Sequence, residues 1–131
     1  MKRIAILIFL LVPGFSWACS CAETTDEIAY ANSKSVLLVK ITDTKLVTNN
    51  EKGEVVQAKF KVIEDFKGNL GELEILQSTV EWTCSTALIS GHKYLIYSNG
   101  EKIKNINACT KSRWINETRE AELLKKYRSR K

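Results

Sequence analysis

The chain has 131 residues, with 20 Lys and Arg against 15 Asp and Glu, and its formal net charge is +5. This length suits one compact domain with a modest core and leaves no room for a second. The small basic excess lies largely in the tail Lys125–Lys131, as expected of a solvated helix end, so no nucleic-acid partner is predicted.

The first 18 residues have the features of a cleavable export signal. Two basic residues precede an apolar run from Ile4 to Val12, and the segment Ser16–Ala18 places small residues at the two recognition positions. The run is about nine residues, too short for the ~20 of a membrane-spanning helix, so no transmembrane segment is expected. We therefore predict a secreted or periplasmic protein whose mature chain, residues 19–131, is one domain beginning at Cys19.

Lipoprotein processing in bacteria also requires a cysteine directly after the cleavage site. The Leu that usually lies three positions before that cysteine is replaced here by Ser16, and the bulky Trp17 follows. A lipid anchor on Cys19 is therefore the less favoured hypothesis.

All four cysteines, Cys19, Cys21, Cys84 and Cys109, belong to the predicted mature chain. Export leads to an oxidising compartment, so two disulfides are expected. A bond between Cys19 and Cys21 would close a very tight ring, which leaves two pairings, both tying the N-terminus to distant parts of the chain. In the chain-entropy model each such bond contributes about 4 kcal/mol to stability.

The predicted strands begin after a polar lead-in. Ser35 to Ile41 is a continuous apolar run rich in β-formers, which suits a strand covered on both faces. A polar hairpin loop at residues 48–53 follows, and apolar residues from Val56 to Val62 then alternate with polar ones, as in a half-buried strand. A turn is expected at residues 66–69.

Three shorter strands complete the prediction. One includes residues 73–75 and runs toward Cys84, one covers Tyr94 to Tyr97, and the last covers Ile103 to Ala108 after a tight-turn signal. Beyond Cys109 the apolar spacing becomes three or four, which predicts an amphipathic helix from Arg113 to Arg128 with Ser112 as its N-cap.

Five strands and a helix predict a mainly β fold. A small five-stranded Greek-key barrel of the oligonucleotide/oligosaccharide-binding (OB) type fits this set, because closure protects the strand edges. A small β-sandwich is the alternative that the pattern leaves open.

Most enzyme chemistry lacks the residues that it needs. His92 is the sole histidine, so a zinc site with two or three histidines is excluded, and any Ser-His-Asp triad would have to use this turn residue. The carboxylates are scattered among lysines, and neither a phosphate-binding glycine loop nor a nucleophile elbow is visible. We expect no enzymatic activity and no cofactor, and we favour disulfides over a redox or metal role for the cysteines.

The order of several features resembles the netrin-like (NTR) module, and most of all the N-terminal domain of the tissue inhibitors of metalloproteinases (TIMPs). The resemblance spans nearly all of the mature chain. It rests on Cys19-Ser20-Cys21 after the signal, Ala31-Asn32-Ser33 before a strand, Phe60 to Phe66 followed by Lys67-Gly68, Cys84 after a third strand, the segment Gly91–Tyr97, and Cys109 before a helix. It implies an OB barrel with disulfides Cys19–Cys84 and Cys21–Cys109.

The resemblance also implies a function. In similar proteins the α-amino nitrogen and carbonyl oxygen of the first cysteine chelate the zinc of a metalloproteinase at its open coordination position. An α-amino group titrates near 7.7 to 8.0, so a neutral fraction is available at about pH 7. Cys19 would bind the zinc of the target protease in this way, and the side chain of Ser20 would enter its specificity pocket.

An inhibitory ridge follows from the same resemblance. Trp82 is its expected contact anchor, although a buried core tryptophan is an equal alternative. The ridge departs from the inhibitor pattern because Ala22-Glu23 replaces an apolar-Pro step, and neither a third disulfide nor a separate C-terminal subdomain is present. The predicted ridge residues are Cys19, Ser20, Cys21, Ala22, Glu23, Glu81, Trp82 and Thr83.

Two functions remain open at this stage. The first is a secreted inhibitor whose partner is a zinc metalloproteinase. The second is a netrin-like extracytoplasmic module without inhibitory activity, which uses a barrel face or the basic tail Lys125–Lys131 to bind a protein or a glycan. A monomer is expected in both cases.

Overall fold

The structure is a computed structural model that describes residues 19–51, 53–68, 70–80 and 82–131. The predicted export signal, residues 1–18, lies outside the described residues. The elements are α1 (Asp26–Asn32), β1 (Ser35–Asn49), β2 (Gly53–Lys67), β3 (Ile75–Thr79), β4 (Lys93–Ser98), β5 (Ile103–Asn105), β6 (Arg113–Trp114) and α2 (Ala121–Ser129). Neither helix in this part of the chain has the length and apolar composition needed to cross a bilayer.

The six strands form one sheet in the order β5-β3-β2-β1-β4-β6, which curls into a half-barrel. Neighbouring strands are antiparallel except for β3 and β5, which are parallel. The mainly β prediction is confirmed. The predicted count of five strands is wrong, because β6 adds a sixth, and the strands lie in one sheet and not in the two of a sandwich.

The hairpin of β1 and β2 is the largest element, with 15 residues in each strand. The predicted hairpin loop is confirmed but is shorter than expected, since pairing continues to Asn49 and Gly53. Gly53 has a φ of 72°, a conformation that glycine adopts without steric cost. Register shifts interrupt the ladder in three places, the last between Ile41 and Asp43, as β-bulges do.

The start of β1 is buried on both faces, as its continuous apolar run predicts. Leu37, Val39 and Ile41 belong to a core cluster on one face of the sheet. Val36 and Leu38 belong to a second cluster on the other face, where side chains of both helices cover the sheet. Alternation therefore sends successive side chains into two different cores.

The C-terminal helix is shorter than predicted. It begins at Ala121 and not at Arg113, because Arg113 and Trp114 pair with β4 as a strand and a turn covers residues 117–120. Ser112 is not an N-cap. It is buried, accepts a hydrogen bond from the Tyr97 backbone N–H (2.8 Å) and donates one to the Tyr97 carbonyl (3.3 Å).

Two other predicted boundaries are corrected. The third strand begins at Ile75 and not at residue 73, because Leu73 belongs to a turn in which its backbone N–H donates a hydrogen bond to the Leu70 carbonyl. The fifth strand ends at Asn105, after which Asn107 forms an isolated bridge with Ser85. The first segment belongs to the turn between β2 and β3, and the second leads into the loop that carries Cys109.

A polar network ties α1 to the sheet and to α2. The Asp26 carboxylate accepts hydrogen bonds from Arg113 Nη1 (2.8 Å) and from the Tyr97 hydroxyl (2.9 Å). The hydroxyl oxygens of Tyr97 and Tyr127 are 2.7 Å apart, and that of Tyr127 is 3.2 Å from the Asp26 carbonyl oxygen. Two hydroxyl protons cannot form hydrogen bonds at all three contacts. The two shorter hydrogen bonds therefore form: the Tyr127 hydroxyl donates to the Tyr97 hydroxyl, and the Tyr97 hydroxyl donates to the Asp26 carboxylate.

The charge of Asp26 is stabilised in this setting. Burial alone would raise its pKa, but hydrogen bonds from Arg113 and Tyr97 and the positive charge of Arg113 outweigh burial and lower the pKa. For Tyr97, burial is the main reason that the pKa lies far above its ordinary value, so this hydroxyl stays protonated and donates to the carboxylate.

We predict that Asp26→Asn lowers the free energy of unfolding at pH 7 by about 2 kcal/mol, because charge-assisted hydrogen bonds are replaced by neutral ones. The unfolded carboxyl titrates near 3.9, so its contribution is complete above that pH and is lost as pH falls through the lower folded pKa. Urea denaturation of both proteins between pH 7 and pH 2 should show the difference shrinking. Asp65→Asn, on the exposed side of β2, is the matched control and should change stability by less than about 0.5 kcal/mol. A difference that stays constant over this pH range would contradict the prediction.

Candidate functional site at the clamped N-terminal segment

Two disulfides hold the beginning of the described chain. Cys19 bonds to Cys84 and Cys21 bonds to Cys109, across sequence separations of 65 and 88 residues. The pairing that the resemblance implied is confirmed. The bonds lie side by side, since Cys19 Sγ is 3.5 Å from Cys109 Sγ and 3.8 Å from Cys21 Sγ.

This sulfur cluster is not a metal site. The sulfur atoms of Cys19, Cys84 and Cys109 lie within 4.8 Å of one another, a spacing that three thiolate ligands could adopt. All four cysteines are oxidised, however, and it is the thiolate that binds metal. The cluster therefore acts as a clamp.

The two loops that receive the N-terminal segment are joined to each other. The backbone N–H of Ala108 donates to the Cys84 carbonyl (2.8 Å), next to the bridge between Ser85 and Asn107. The Asn107 side chain accepts from the Cys109 backbone N–H (2.8 Å). The N-terminal segment is thus attached to a platform that is braced by hydrogen bonds.

Most of the predicted ridge lies at the surface. Ser20, Cys21, Ala22 and Glu23 are exposed, and Cys19 is half-buried. Thr83 is exposed, and Trp82 is 47% exposed, so it is not a core tryptophan. Glu81 lies outside the described residues.

The structure divides the ridge into two sides. Trp82 and Thr83 lie directly before Cys84 and so adjoin Cys19 through the disulfide. Ala22 and Glu23 instead line a shallow cleft with residues 108–111, around the second disulfide. Ser20 lies between the two disulfides, and its carbonyl oxygen is 3.9 Å from Cys109 Sγ.

A groove beside Trp82 is lined, apart from Trp82 itself, by residues that were not predicted as part of the ridge. It is lined by Gln77, Thr79, Trp82, Asn105, Ile106 and Asn107 and has a volume of about 520 Å³. The one sequence signal for it was the polar run Gln77-Ser78-Thr79 after the apolar Ile75 and Leu76 of the same strand. Nothing local indicated that residues 105–107 would lie beside them, because β5 pairs with β3 across 28 residues of sequence.

His92, which the sequence left as the sole candidate for a histidine-dependent site, is exposed. Its ring centroid is 6.1 Å from that of Trp114. Both residues border a largely apolar groove of about 320 Å³ with Ile89 and Tyr94. This arrangement packs the imidazole against an aromatic ring and gives it no acid-base partner among the residues that line the groove.

The basic tail is engaged within the fold. Lys126 and Arg130 form salt bridges with Glu27 of α1, and Arg128 forms one with Glu64 of β2. Hydrogen bonds from Lys126 and Arg130 hold the pKa of Glu27 below its ordinary value. Three of the five basic residues of the tail are thus paired within the fold, which makes the tail a weak candidate for binding a polyanion.

No protein-family model matches this chain, and a search of curated proteins also found no match. The resemblance to the TIMPs is therefore carried by the residues quoted above, and the function that it implies is a proposal.

We predict that Cys21–Cys109 is reduced before Cys19–Cys84 in the folded protein, because Cys21 is exposed and Cys84 is only 6% exposed. Brief treatment with dithiothreitol, alkylation and peptide mass spectrometry should find alkylated Cys21 and Cys109 in several-fold excess. The same treatment in guanidinium chloride, where exposure is equal, should label all four cysteines alike. Preferential labelling of Cys19 and Cys84 in the folded protein would contradict the prediction.

Proposed function

We propose that the mature protein inhibits zinc metalloproteinases through its N-terminal Cys19. One observation carries the proposal: the segment Cys19–Cys21 is held at both ends by disulfides, while Ser20 between them stays exposed. Such a segment presents one backbone chelating group and one small side chain in a defined direction. The proposal requires export and cleavage directly before Cys19.

The sheet order supports the fold that this function implies. The five longer strands lie in the order β5-β3-β2-β1-β4, with β3 and β5 parallel, which is consistent with an OB barrel opened between β4 and β5. In this assignment β6 is an addition beside β4. The disulfides then join the N-terminus to the loops after β3 and β5, at one end of the barrel.

The chemistry of the proposed inhibition belongs to the backbone of Cys19. Its α-amino nitrogen and carbonyl oxygen would bind the zinc of the protease as a five-membered chelate, and the chelate would displace the zinc-bound water. Zinc binding requires the neutral amine and so displaces its proton to solvent. The thiol takes no part, because the sulfur is bonded to Cys84.

The clamp also explains how a short segment could bind tightly. A free tripeptide loses backbone freedom when it binds, at a cost of about 1–2 kcal/mol per residue. Here the two disulfides and the platform have already restricted the segment on folding, so binding the protease would cost less entropy. The small, polar side chain of Ser20 would fit many specificity pockets but would bind none of them tightly. Selectivity would therefore come from the surroundings, where Trp82 offers the largest exposed side chain.

We predict that one Ala added before Cys19 weakens inhibition by at least about 100-fold, since the amine is converted to an amide that cannot bind zinc. The inhibition constant should be measured against metalloproteinases with three-histidine zinc sites, using the exported protein and the extended form. An Ala added after Lys131 is the matched control and should leave inhibition unchanged.

Mass spectrometry of the exported protein provides an independent check. It should show a chain that begins at an unmodified Cys19 and is four hydrogens lighter than the reduced form. Equal inhibition by the extended protein, or an acylated Cys19, would refute the proposal.

A further inference from the structure

The groove beside Trp82 has the features of a built binding site. Its floor is formed by Gln77 and Thr79 of β3, and one side by Asn105 of β5 with Ile106 and Asn107 after it. Trp82, in the loop after β3, forms the other side. The volume of about 520 Å³ is within the range of small-molecule clefts.

A row of carboxamides crosses the sheet at this groove. Gln57 and Gln77 are directly opposite in the β2–β3 ladder, and Gln77 and Asn105 are opposite in the β3–β5 ladder. Gln57 Nε2 donates to Gln77 Oε1 (3.0 Å), and Gln77 Nε2 donates to Asn105 Oδ1 (3.1 Å). Gln77 is only 3% exposed, so its orientation is fixed by these neighbours. The row therefore holds the exposed amide of Asn105 in a preset orientation at the groove.

The loop that carries Trp82 is restrained by a backbone hydrogen bond and by a disulfide. The Ser85 backbone N–H donates to the Trp82 carbonyl (3.0 Å), and Cys84 is bonded to Cys19. The side chain is nevertheless 47% exposed, although Trp is usually well covered in folded proteins. A half-exposed indole on a restrained backbone is a contact platform that loses little freedom on binding.

The lining restricts the chemistry of the ligand. None of the six residues that line the groove is charged, although 27% of the chain is Asp, Glu, Lys or Arg. Among the described residues, the lining therefore offers no counter-charge to a phosphate, a carboxylate or a cation. Carboxamides and the Thr79 hydroxyl both donate and accept hydrogen bonds, as the hydroxyl groups of a sugar do.

An extended peptide fits the groove less well. Peptides that bind to sheets usually pair with the free backbone of an edge strand. Strand β3 pairs with β2 on one side and, at residues 75–77, with β5 on the other, so its backbone is paired over that stretch. The edge strand beside the groove is β5, which has only three residues and offers a peptide little backbone to pair with. A ligand in this groove must be recognised by side chains and by its flat apolar surface against the indole.

We propose that this groove binds a neutral oligosaccharide, with one sugar ring on Trp82 and its hydroxyl groups on the amides of Asn107 and of Asn105, which Gln77 positions. This site does not depend on the proposed inhibition of proteases. It uses side chains of β3, β5 and the loops that follow them, whereas zinc binding in the inhibitor function uses the backbone of Cys19, and the two share only Trp82.

The test uses the exported protein and four neutral tetrasaccharides: cellotetraose, xylotetraose, chitotetraose and maltotetraose. Titration calorimetry should detect saturable binding of at least one of them with a dissociation constant below about 1 mM. Trp82→Ala should weaken it at least about tenfold, and Trp82→Phe should retain most of the affinity. Trp114→Ala is the matched control, since Trp114 is 51% exposed and borders a different groove. It should change the affinity less than about twofold.

A second measurement guards against misfolding of the Trp82 variant. In wild-type protein, the saccharide should shift the side-chain amide NMR signals of Gln77, Asn105 and Asn107, and adding Ala before Cys19 should leave these shifts intact. The proposal is overturned if none of the four sugars binds at about 10 mM, or if the shifts lie elsewhere. It is also overturned if Trp114→Ala weakens binding as much as Trp82→Ala, or if a tetraalanine peptide binds as well as the best sugar.

Discussion

The pair of adjacent disulfides is the constraint on which the functional end of this molecule depends. Without them, residues 19–25 would be a short polar segment ahead of α1 with little apolar surface to bury. The disulfides join this segment to the loops after β3 and β5. Because they link residues that are far apart in sequence, the chain-entropy model assigns them a large contribution to the free energy of unfolding. Because Cys84 follows Trp82 so closely, the same clamp that holds the N-terminus also restrains the loop of Trp82 beside the groove.

A hydrogen-bond network at α1 restrains the same N-terminal segment a few residues after the disulfides. The network around Asp26 attaches α1 to Tyr97 of β4 and to Arg113, so the segment that starts at Cys19 is held again only a few residues later. Tyr127, fully buried, extends the attachment to α2. The polar network needs the second core around it, because burial makes each of its hydrogen bonds stronger and makes an unpaired member costly.

The two proposed sites use different chemistry on one platform. Inhibition of a protease would use a backbone amine and carbonyl, whereas a saccharide would be recognised by amides and an indole. Trp82 borders both. Since its loop is braced by hydrogen bonds and by a disulfide, both sites are organised on folding, and neither ligand would have to order the loop.

The sequence alone determined the mainly β fold, most of the strand positions and the two-sided burial of β1, because these follow from local periodicity in residues 35–41 and 56–62. It left the disulfide pairing open between two alternatives, and only the resemblance selected the one observed. It misjudged Arg113 and Trp114, since apolar residues three or four apart fit a helix, and only pairing with β4 makes them a strand. The tertiary structure alone decided the groove: Gln77 and Asn105 meet through a parallel β3–β5 ladder that joins distant segments, and no local pattern records such a pairing.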